Sequence, residues 1–191
     1  DPSRHQIIPA WKEPIENIKS LIATARKTGV LICYAEYIHQ NEQGVMMVSG
    51  PDYWCHRNSE EVACEVEGTW PSETVKEIAP QKGDIVIRKH HGNSFYNTPL
   101  QDLLKDRGIR TILLTGTATA GCVLMTAYGA QERGFYPVFL DDCIDRQFEP
   151  GLQLINAQFA VYSSKEILEL WKDQQGHFAN TNTGKPNNSK K

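Results

Sequence analysis

The segment Thr111–Arg133 reads TILLTGTATAGCVLMTAYGAQER, and the expected architecture follows from it. Residues Thr111–Leu114 form a short apolar, β-branched run, which is typical of a buried strand. A turn of small residues follows at Gly116–Gly121, and a proline-free, helix-forming segment begins near Cys122. This order predicts a sulfur on the first turn of a helix, at the carboxyl edge of a sheet, where ligands bind in open α/β proteins.

The position predicted for Cys122 favours a reactive thiol. Unpaired backbone N–H groups and the positive end of the helix dipole lie at the first turn of a helix, and both stabilise a thiolate. The same N–H groups can hold the oxyanion of a tetrahedral intermediate. Cysteine is also a small hydrophobic residue that often fills a core, so this segment alone leaves both interpretations open.

A second segment, Asp84–Leu100, reads DIVIRKHHGNSFYNTPL and favours the reactive interpretation. Residues Asp84–Arg88 predict a strand with Lys89 at its carboxyl end, where the ammonium group can reach the same sheet edge as Cys122. An ammonium group near a thiol stabilises the thiolate and can later pass a proton to a leaving amine. The alternative for Lys89 is a solvated charge at the end of a strand.

Three blocks of residues occur in the order and spacing of a known family. They are Lys89 followed by Ser94–Leu100, then Asp106–Ile109, then Gly116–Val123. With them the chain resembles the cysteine-hydrolase branch of the isochorismatase-like family, which includes nicotinamidases and the N-carbamoylsarcosine, ureidoacrylate and biuret hydrolases. The resemblance covers roughly residues 14–171. It implies an α/β fold, a three-layer α-β-α domain over residues 1–172 with a mostly parallel, Rossmann-like central sheet.

The resemblance also implies roles for individual residues. Cys122 matches the nucleophile and Lys89 matches the catalytic lysine. The peptide bond between Thr117 and Ala118 is expected to be cis, and the N–H groups of Ala118 and Cys122 are expected to bind the oxyanion. The implied reaction is hydrolysis of a C–N bond in a small amide or ureide, through a cysteine thioester and without a cofactor.

The substrate is expected to contact the long polar connection at residues 39–67. Trp54 in that connection, together with Phe95 and Tyr96, is the candidate lining of the substrate pocket, although Trp54 could equally pack in a satellite core. The Asp-x-His metal pattern of nicotinamidases is replaced here by Glu36–His39, EYIH, which favours small linear amides or ureides and no metal.

One part of the family pattern is missing. The family's first strand ends in a catalytic aspartate, within a run such as Val-Ile-Asp-Met-Gln, and this run does not precede the helix predicted at Trp11–Lys27. Asp1 is a poor substitute because it is terminal and lies among polar residues. The strand would lie mid-sheet between the strand predicted at Val30–Tyr37 and the strand at Thr111. Without it, unpaired buried backbone groups would cost roughly 1–3 kcal/mol each.

We therefore expect an upstream segment, a substitute strand at His5–Ile8, or a rearranged sheet. The missing aspartate also defines an alternative function, a non-catalytic relative that binds a small molecule or a protein partner.

Composition excludes several function classes. The 191 residues carry a net charge of -3 and a pI near 6.1, which argues against a nucleic-acid partner. The longest apolar run is too short to span a membrane, and no secretory leader opens the chain. Five cysteines without a disulfide-framework spacing favour a reduced, cytoplasmic protein. The resemblance adds a homo-oligomer as the expected assembly.

Three weaker interpretations concern ligands. Cys55, His56 and Cys64 lack a close Cys-x-x-Cys pair, so zinc is disfavoured. The glycines of Gly116–Gly121 match neither nucleotide fingerprint, which disfavours a phosphate loop. The pair His90–His91 is expected at the surface.

The rest of the chain predicts further helices and strands. Asp141 and Asp142 could touch the substrate, but they are expected to cap the next helix, and residues 173–191 are expected to be a disordered tail. The predicted elements are a helix at 72–78, a helix after Thr98 that ends at Gly108, a strand at 136–141, a helix at 150–156, a strand at 159–162, and a helix at 165–171 capped by Ser164.

Overall fold

The computed structural model describes residues 9–39, 66–146 and 148–178. Helices and strands alternate along these residues, which confirms the predicted α/β class. The helices are α1 (Pro9–Thr28), α2 (Leu100–Asp106), α3 (Leu124–Glu132), α4 (Glu149–Gln158) and α5 (Ser164–Phe178). The strands are β1 (Cys33–Tyr37), β2 (Ile85–Lys89), β3 (Thr111–Gly116), β4 (Tyr136–Ile144) and β5 (Ala160–Tyr162).

The described strands form two parallel sheets. Strand β1 pairs with β2, from Cys33 opposite Ile85 to Tyr37 opposite Lys89. The other sheet has the order β3-β4-β5. Among the described residues no strand pairs with the second edge of β1 or of β3. Within the described part of the chain the sheet is thus interrupted where the family resemblance places its missing first strand; the candidate substitute, His5–Ile8, lies outside that part.

Strand β4 is the centre of the three-stranded sheet. Its side chains pack into two layers, one on each face, and the irregular register between Phe139 and Ile144 interrupts the regular alternation of a strand. Phe139 packs towards α3 and α4, with Val123, Ala127 and Ile155 among its neighbours in that cluster. Leu140 and Cys143 pack on the other face against α1 and α5. The strand continues past the predicted end at Asp141 because Cys143 and Ile144 are also buried.

Strand β1 differs from its prediction. A strand over Val30–Tyr37 was expected to be buried on both faces, but β1 begins at Cys33, and Cys33 and Ala35 are exposed. With β2 as its one described neighbour, β1 has one open edge and incomplete cover. The apolar composition of a strand predicts burial only when the neighbouring strands and helices are present.

Helix α1 contacts both sheets. Its apolar stripe packs Ile18 and Leu21 against Leu140 of β4. Near its carboxyl end, Arg26 forms an ion pair with Asp84, which directly precedes β2. The helix ends at Gly29, whose φ of 74° gives the left-handed conformation that commonly follows a helix.

Other element predictions need correction. The helix predicted at 72–78 is replaced by two short 3₁₀ turns, Trp70–Ser72 and Lys76–Ile78. Helix α5 runs to Phe178, into the segment predicted as a tail, while residues 179–191 lie outside the described residues. None of the helices in the described part of the chain has the length and hydropathy needed to cross a membrane.

The cap of α5 also differs from its prediction, because Ser163 provides the reciprocal bonds of a capping box. The Glu166 N–H donates to Ser163 Oγ at 3.3 Å, and the Ser163 N–H donates to Glu166 Oε2 at 2.7 Å. Ser164 instead donates through its hydroxyl to Asp142.

Candidate active site

Cys122 lies in a short π-helical turn, Thr119–Val123, that leads into α3. Gly121 departs from helical geometry, with φ -113° and ψ -107°, so Cys122 lies just after the kink and two residues before α3 begins at Leu124. The Ala118 carbonyl accepts the N–H groups of Gly121 and Val123 at 3.0 and 3.1 Å. Thr119 donates to the carbonyl of Asp145 at 2.6 Å, which ties the turn to the end of β4. These bonds fix a half-buried thiol at the amino end of a helix.

The peptide bond between Thr117 and Ala118 is cis. It directly follows β3, whose last residue, Gly116, has a φ of 100°. Two backbone features that few sequences tolerate therefore come together in the turn before Cys122.

Lys89 is the last residue of β2, and only 2% of its surface is exposed. Its ammonium group donates to the carbonyls of His91 and Gly92, both at 3.0 Å. The nitrogen also lies 4.5 Å from the ring centroid of Tyr37, the residue opposite Lys89 on β1. A buried ammonium group needs such acceptors to offset its lost hydration. The alternative of a solvated lysine is therefore wrong.

The loop after Lys89 packs directly on α3. Thr126 donates to the Gly92 carbonyl at 3.3 Å and accepts the Ser94 N–H at 3.1 Å. Gly92 therefore accepts bonds from both Lys89 and Thr126. Thr126 follows Cys122 by one helical turn, which places the two side chains on the same face of the helix. The lysine and cysteine thus belong to one connected region, although their strands lie in different sheets.

Of the aromatic residues predicted to line the pocket, Phe95 is a core residue. It is buried and stacks on Phe135, with the ring centroids 5.6 Å apart. That environment fits a packing role better than the predicted role in a substrate pocket. Tyr96 is exposed and contacts the ring of His91 edge-on. Trp54 lies outside the described residues.

The histidines after Lys89 are held by neighbouring groups. His90 Nδ1 lies 2.8 Å from the Ile38 carbonyl. Both His90 and His91 are partly buried rather than fully at the surface. In the described part of the chain, no three His, Cys, Asp or Glu side chains cluster as a metal site would require. Cys55, His56 and Cys64 are outside it.

The aspartates of β4 make structural contacts with neighbouring residues. Asp142 accepts the Ser164 N–H at 2.8 Å and the Ser164 hydroxyl at 2.6 Å, at the start of α5. Asp142 therefore supports the first residue of α5, and the prediction that it caps the helix that follows β4 directly is wrong, since that helix has Phe148 as its N-cap and no side-chain cap bond. Asp141 forms a 3.0 Å ion pair with Arg146.

A polar cavity of about 320 Å³ lies beside the two-stranded sheet. Glu36 and Arg88 line it, together with residues of the segment 67–80. Neither Lys89 nor Cys122 contributes to this cavity. Arg88 and Lys89 are consecutive strand residues, so their side chains point to opposite faces of the sheet. The cavity is thus separate from the region that contains the lysine and the cysteine.

A model of the Isochorismatase domain matches residues 4–153, most of the chain. The chain belongs to the isochorismatase family.

Curated members of the isochorismatase family include similar proteins with named activities. Ureidoacrylate amidohydrolase RutB of Methylorubrum extorquens is 30% identical over 148 residues, which cover 73% of this chain and 60% of that protein. Maleamate amidohydrolase of Pseudomonas putida is 28% identical over 143 residues, which cover 74% of this chain and 65% of that protein. The chain therefore spans about 60–65% of the length of these relatives.

Solved structures of the isochorismatase family share the fold. N-carbamoylsarcosine amidase from Thermoplasma acidophilum aligns with a TM-score of 0.68 at 25% identity, over 83% of this chain and 86% of that one. A cysteine hydrolase from Pseudomonas syringae pv. phaseolicola aligns with a TM-score of 0.74 at 21% identity, over 86% of this chain and 83% of that one.

Sequence reasoning overlooked one residue of the site region, Thr126. Its hydroxyl is the hydrogen-bonding centre of the lysine loop, yet in the sequence it is a single threonine within an apolar helix. The nearest signal was Ser94, which belongs to one of the family blocks and bonds Thr126 in the structure.

Proposed function

We propose that this isochorismatase-family chain is a hydrolase that cleaves a C–N bond of a small amide or ureide through a thioester on Cys122. The names of its relatives, ureidoacrylate amidohydrolase and maleamate amidohydrolase, support the reaction class. The observation that carries the proposal is the hydrogen-bonded link, through Gly92 and Thr126, between the buried ammonium group of Lys89 and α3, the helix that follows the Cys122 turn.

The proposed reaction begins with attack of the Cys122 thiolate on the substrate carbonyl carbon. A C–S bond forms, and the carbonyl electron pair moves onto oxygen, where the N–H groups of Ala118 and Cys122 stabilise the oxyanion. When the tetrahedral intermediate collapses, the C–N bond breaks and Lys89 supplies a proton to the departing nitrogen. Water then attacks the thioester carbon and the C–S bond breaks, which restores the thiolate; one water proton returns to the Lys89 amine and the other leaves with the acid product.

The two proposed groups have complementary placements. The amino end of a helix favours the negative sulfur, because its N–H groups and dipole are positive. The carbonyls of His91 and Gly92 accept hydrogen bonds from the buried amine of Lys89 and hold it in one place. Fixed groups need no reorganisation as charge develops in the transition state.

Ammonia release from a panel of small amides and ureides, including ureidoacrylate and maleamate, tests the proposal. We expect turnover by the wild-type chain and a loss of about 10³-fold or more in Cys122→Ser. The matched control is Cys33→Ser, an exposed cysteine of β1 that should retain activity. Turnover that survives in Cys122→Ser would contradict the cysteine mechanism.

Binding of a panel compound without turnover, measured by calorimetry, would instead support the alternative of a non-catalytic relative. The homo-oligomer stays a prediction, which sedimentation velocity would test.

A further inference from the structure

We infer that Thr126 is a positioning residue, which holds the loop Gly92–Ser94 on α3 and thereby aims the Lys89 ammonium group at Cys122. The inference rests on the proposed function, since it concerns how the two proposed catalytic groups are kept together. It adds a residue that touches neither the substrate nor the reacting atoms.

The hydroxyl of Thr126 has all its hydrogen-bonding capacity in use. It donates one bond, to the Gly92 carbonyl, and accepts two, from the Ser94 N–H and from the Ser94 hydroxyl at 2.9 Å. A hydroxyl offers one donor and two acceptor sites, so this set is complete. Thr126 is 7% exposed and Ser94 is 4% exposed, so water cannot readily replace a lost partner.

Close packing holds the same loop from both sides of Thr126. A Cβ atom on Gly129, one turn along α3, would lie 2.4 Å from the side-chain oxygen of Asn93. A Cβ atom on Gly92 would lie 2.5 Å from the sulfur of Met125. The missing side chains therefore let the loop approach the helix closely enough for the bonds to Thr126 to form.

The Gly92 carbonyl connects this packing to the ammonium group. It accepts from Thr126 on one side and from Lys89 on the other. Loss of the threonine donor frees the carbonyl to move, and Lys89 must move with it or lose an acceptor. The cysteine, one turn before Thr126, stays on the helix. The expected result is a change in the placement of the amine relative to the sulfur.

The test is the alkylation rate of Cys122 by iodoacetamide between about pH 6 and pH 10, followed by peptide mass spectrometry. It needs no substrate. In Lys89→Met we expect the profile to move to higher pH and the rate near pH 7 to fall about tenfold, because the thiolate loses a neighbouring positive charge. In Thr126→Val we expect the profile to move in the same direction and the alkylation rate near pH 7 to fall threefold to tenfold, a change on the order of the loss of one hydrogen bond. Thr126→Ser, which keeps the hydroxyl, should stay within about twofold of wild type.

Two controls separate positioning from general loosening. Ser164→Ala removes another buried hydroxyl bond, at the start of α5, and should lower the melting temperature without moving the alkylation profile. The double variant Lys89→Met with Thr126→Val should match Lys89→Met alone, because the threonine acts through the lysine. If Thr126→Val fails to fold, Gly129→Ala displaces the same loop and should move the profile in the same direction.

The outcomes distinguish the positioning role of Thr126 from the proposed hydrolase function on which it rests. A shift in Lys89→Met but none in Thr126→Val overturns the role of Thr126 and leaves the proposed function standing. No shift in Lys89→Met overturns the pairing of lysine and cysteine, and the role of Thr126 falls with it. Equal shifts in the valine and serine variants, an added shift in the double variant, or a shift in Ser164→Ala would also refute positioning by the hydroxyl.

Discussion

The three-stranded sheet is a buried structure, whereas the two-stranded sheet is largely a surface structure. Strand β4 buries Phe139, Leu140 and Cys143 completely. Strand β2 buries Ile87 and Lys89, while Arg88 between them is exposed and Val86 before them is 43% exposed. The turn that carries Cys122 follows the buried sheet, and Lys89 ends the exposed one. The location of the lysine therefore depends on its loop's contact with α3 more than on the core of its own sheet.

The largest expected contrast between the sheets concerns their thiols. Although Cys33 is exposed as a whole residue, the protein packed around it raises the pKa of its thiol to about 11. Such a thiol is ionised only to about one part in a thousand at pH 8. Burial also raises the pKa of Cys143, with the negative charge of Asp142 as a second cause. At pH 8 we expect iodoacetamide to label Cys122 faster than Cys33, because the raised pKa of Cys33 keeps its thiol protonated.

The pH dependence of labelling sharpens this contrast. Because the thiolate reacts and the pKa of Cys33 is raised, labelling of Cys33 should increase from pH 8 towards pH 11. Time-resolved peptide mass spectrometry of the folded chain measures both rates. Equal labelling of Cys33 and Cys122 at pH 8 would remove the distinction between the two sites.

A smaller contrast concerns stability, for which isoleucine-to-alanine substitutions give a matched pair. Ile144 of β4 is 1% exposed, so Ile144→Ala should cost about 3–4 kcal/mol of unfolding free energy. Ile85 of β2 is partly buried, so Ile85→Ala should cost about 1–2 kcal/mol. Urea unfolding monitored by circular dichroism measures both. Equal losses would mean that the two sheets contribute alike to the core.

The smallest expected effect tests the contact between the lysine loop and α3. An alanine at 129 meets the side chain of Asn93, which is itself bonded to the Phe95 N–H at 2.9 Å and resists displacement. An alanine at 92 meets only the end of the exposed Met125 side chain, which can rotate away. Thermal unfolding should show Gly129→Ala less stable than Gly92→Ala by about 1 kcal/mol. The reverse order would place the tight contact elsewhere.

Sequence patterns predicted the elements whose determinants are local. Gly29 ends α1 and Gly108 ends α2, both with the positive φ expected of a residue after a helix. The strand-turn-helix order around Cys122 is also present, because small residues allow a tight turn there. The capping box of α5 could be predicted from the sequence, since Ser163 has a glutamate three residues later and Ser164 does not.

The sequence patterns did not predict features that depend on contacts between residues far apart in the chain. The burial predicted for β1 requires a second neighbouring strand, and none of the described residues supplies one. The role of Thr126 arises from a loop more than thirty positions earlier, and a lone threonine in a helix gives no sign of it. Phe95 was assigned to a pocket by its place in a family block, whereas its environment is set by Phe135.

Helix α1 holds none of the proposed catalytic groups, yet it touches both halves of the molecule, through Leu140 on one side and Asp84 on the other. The short connection from Gly29 into β1 is thus a covalent tether between the thiol-bearing half and the amine-bearing half. A protease cut there would break this link, but the segment 90–110 would still join β2 to β3, and the loop after Lys89 would still be bonded to Thr126 of α3. The clipped molecule should therefore keep the Lys89 amine on α3 and lose only the covalent link between α1 and β1.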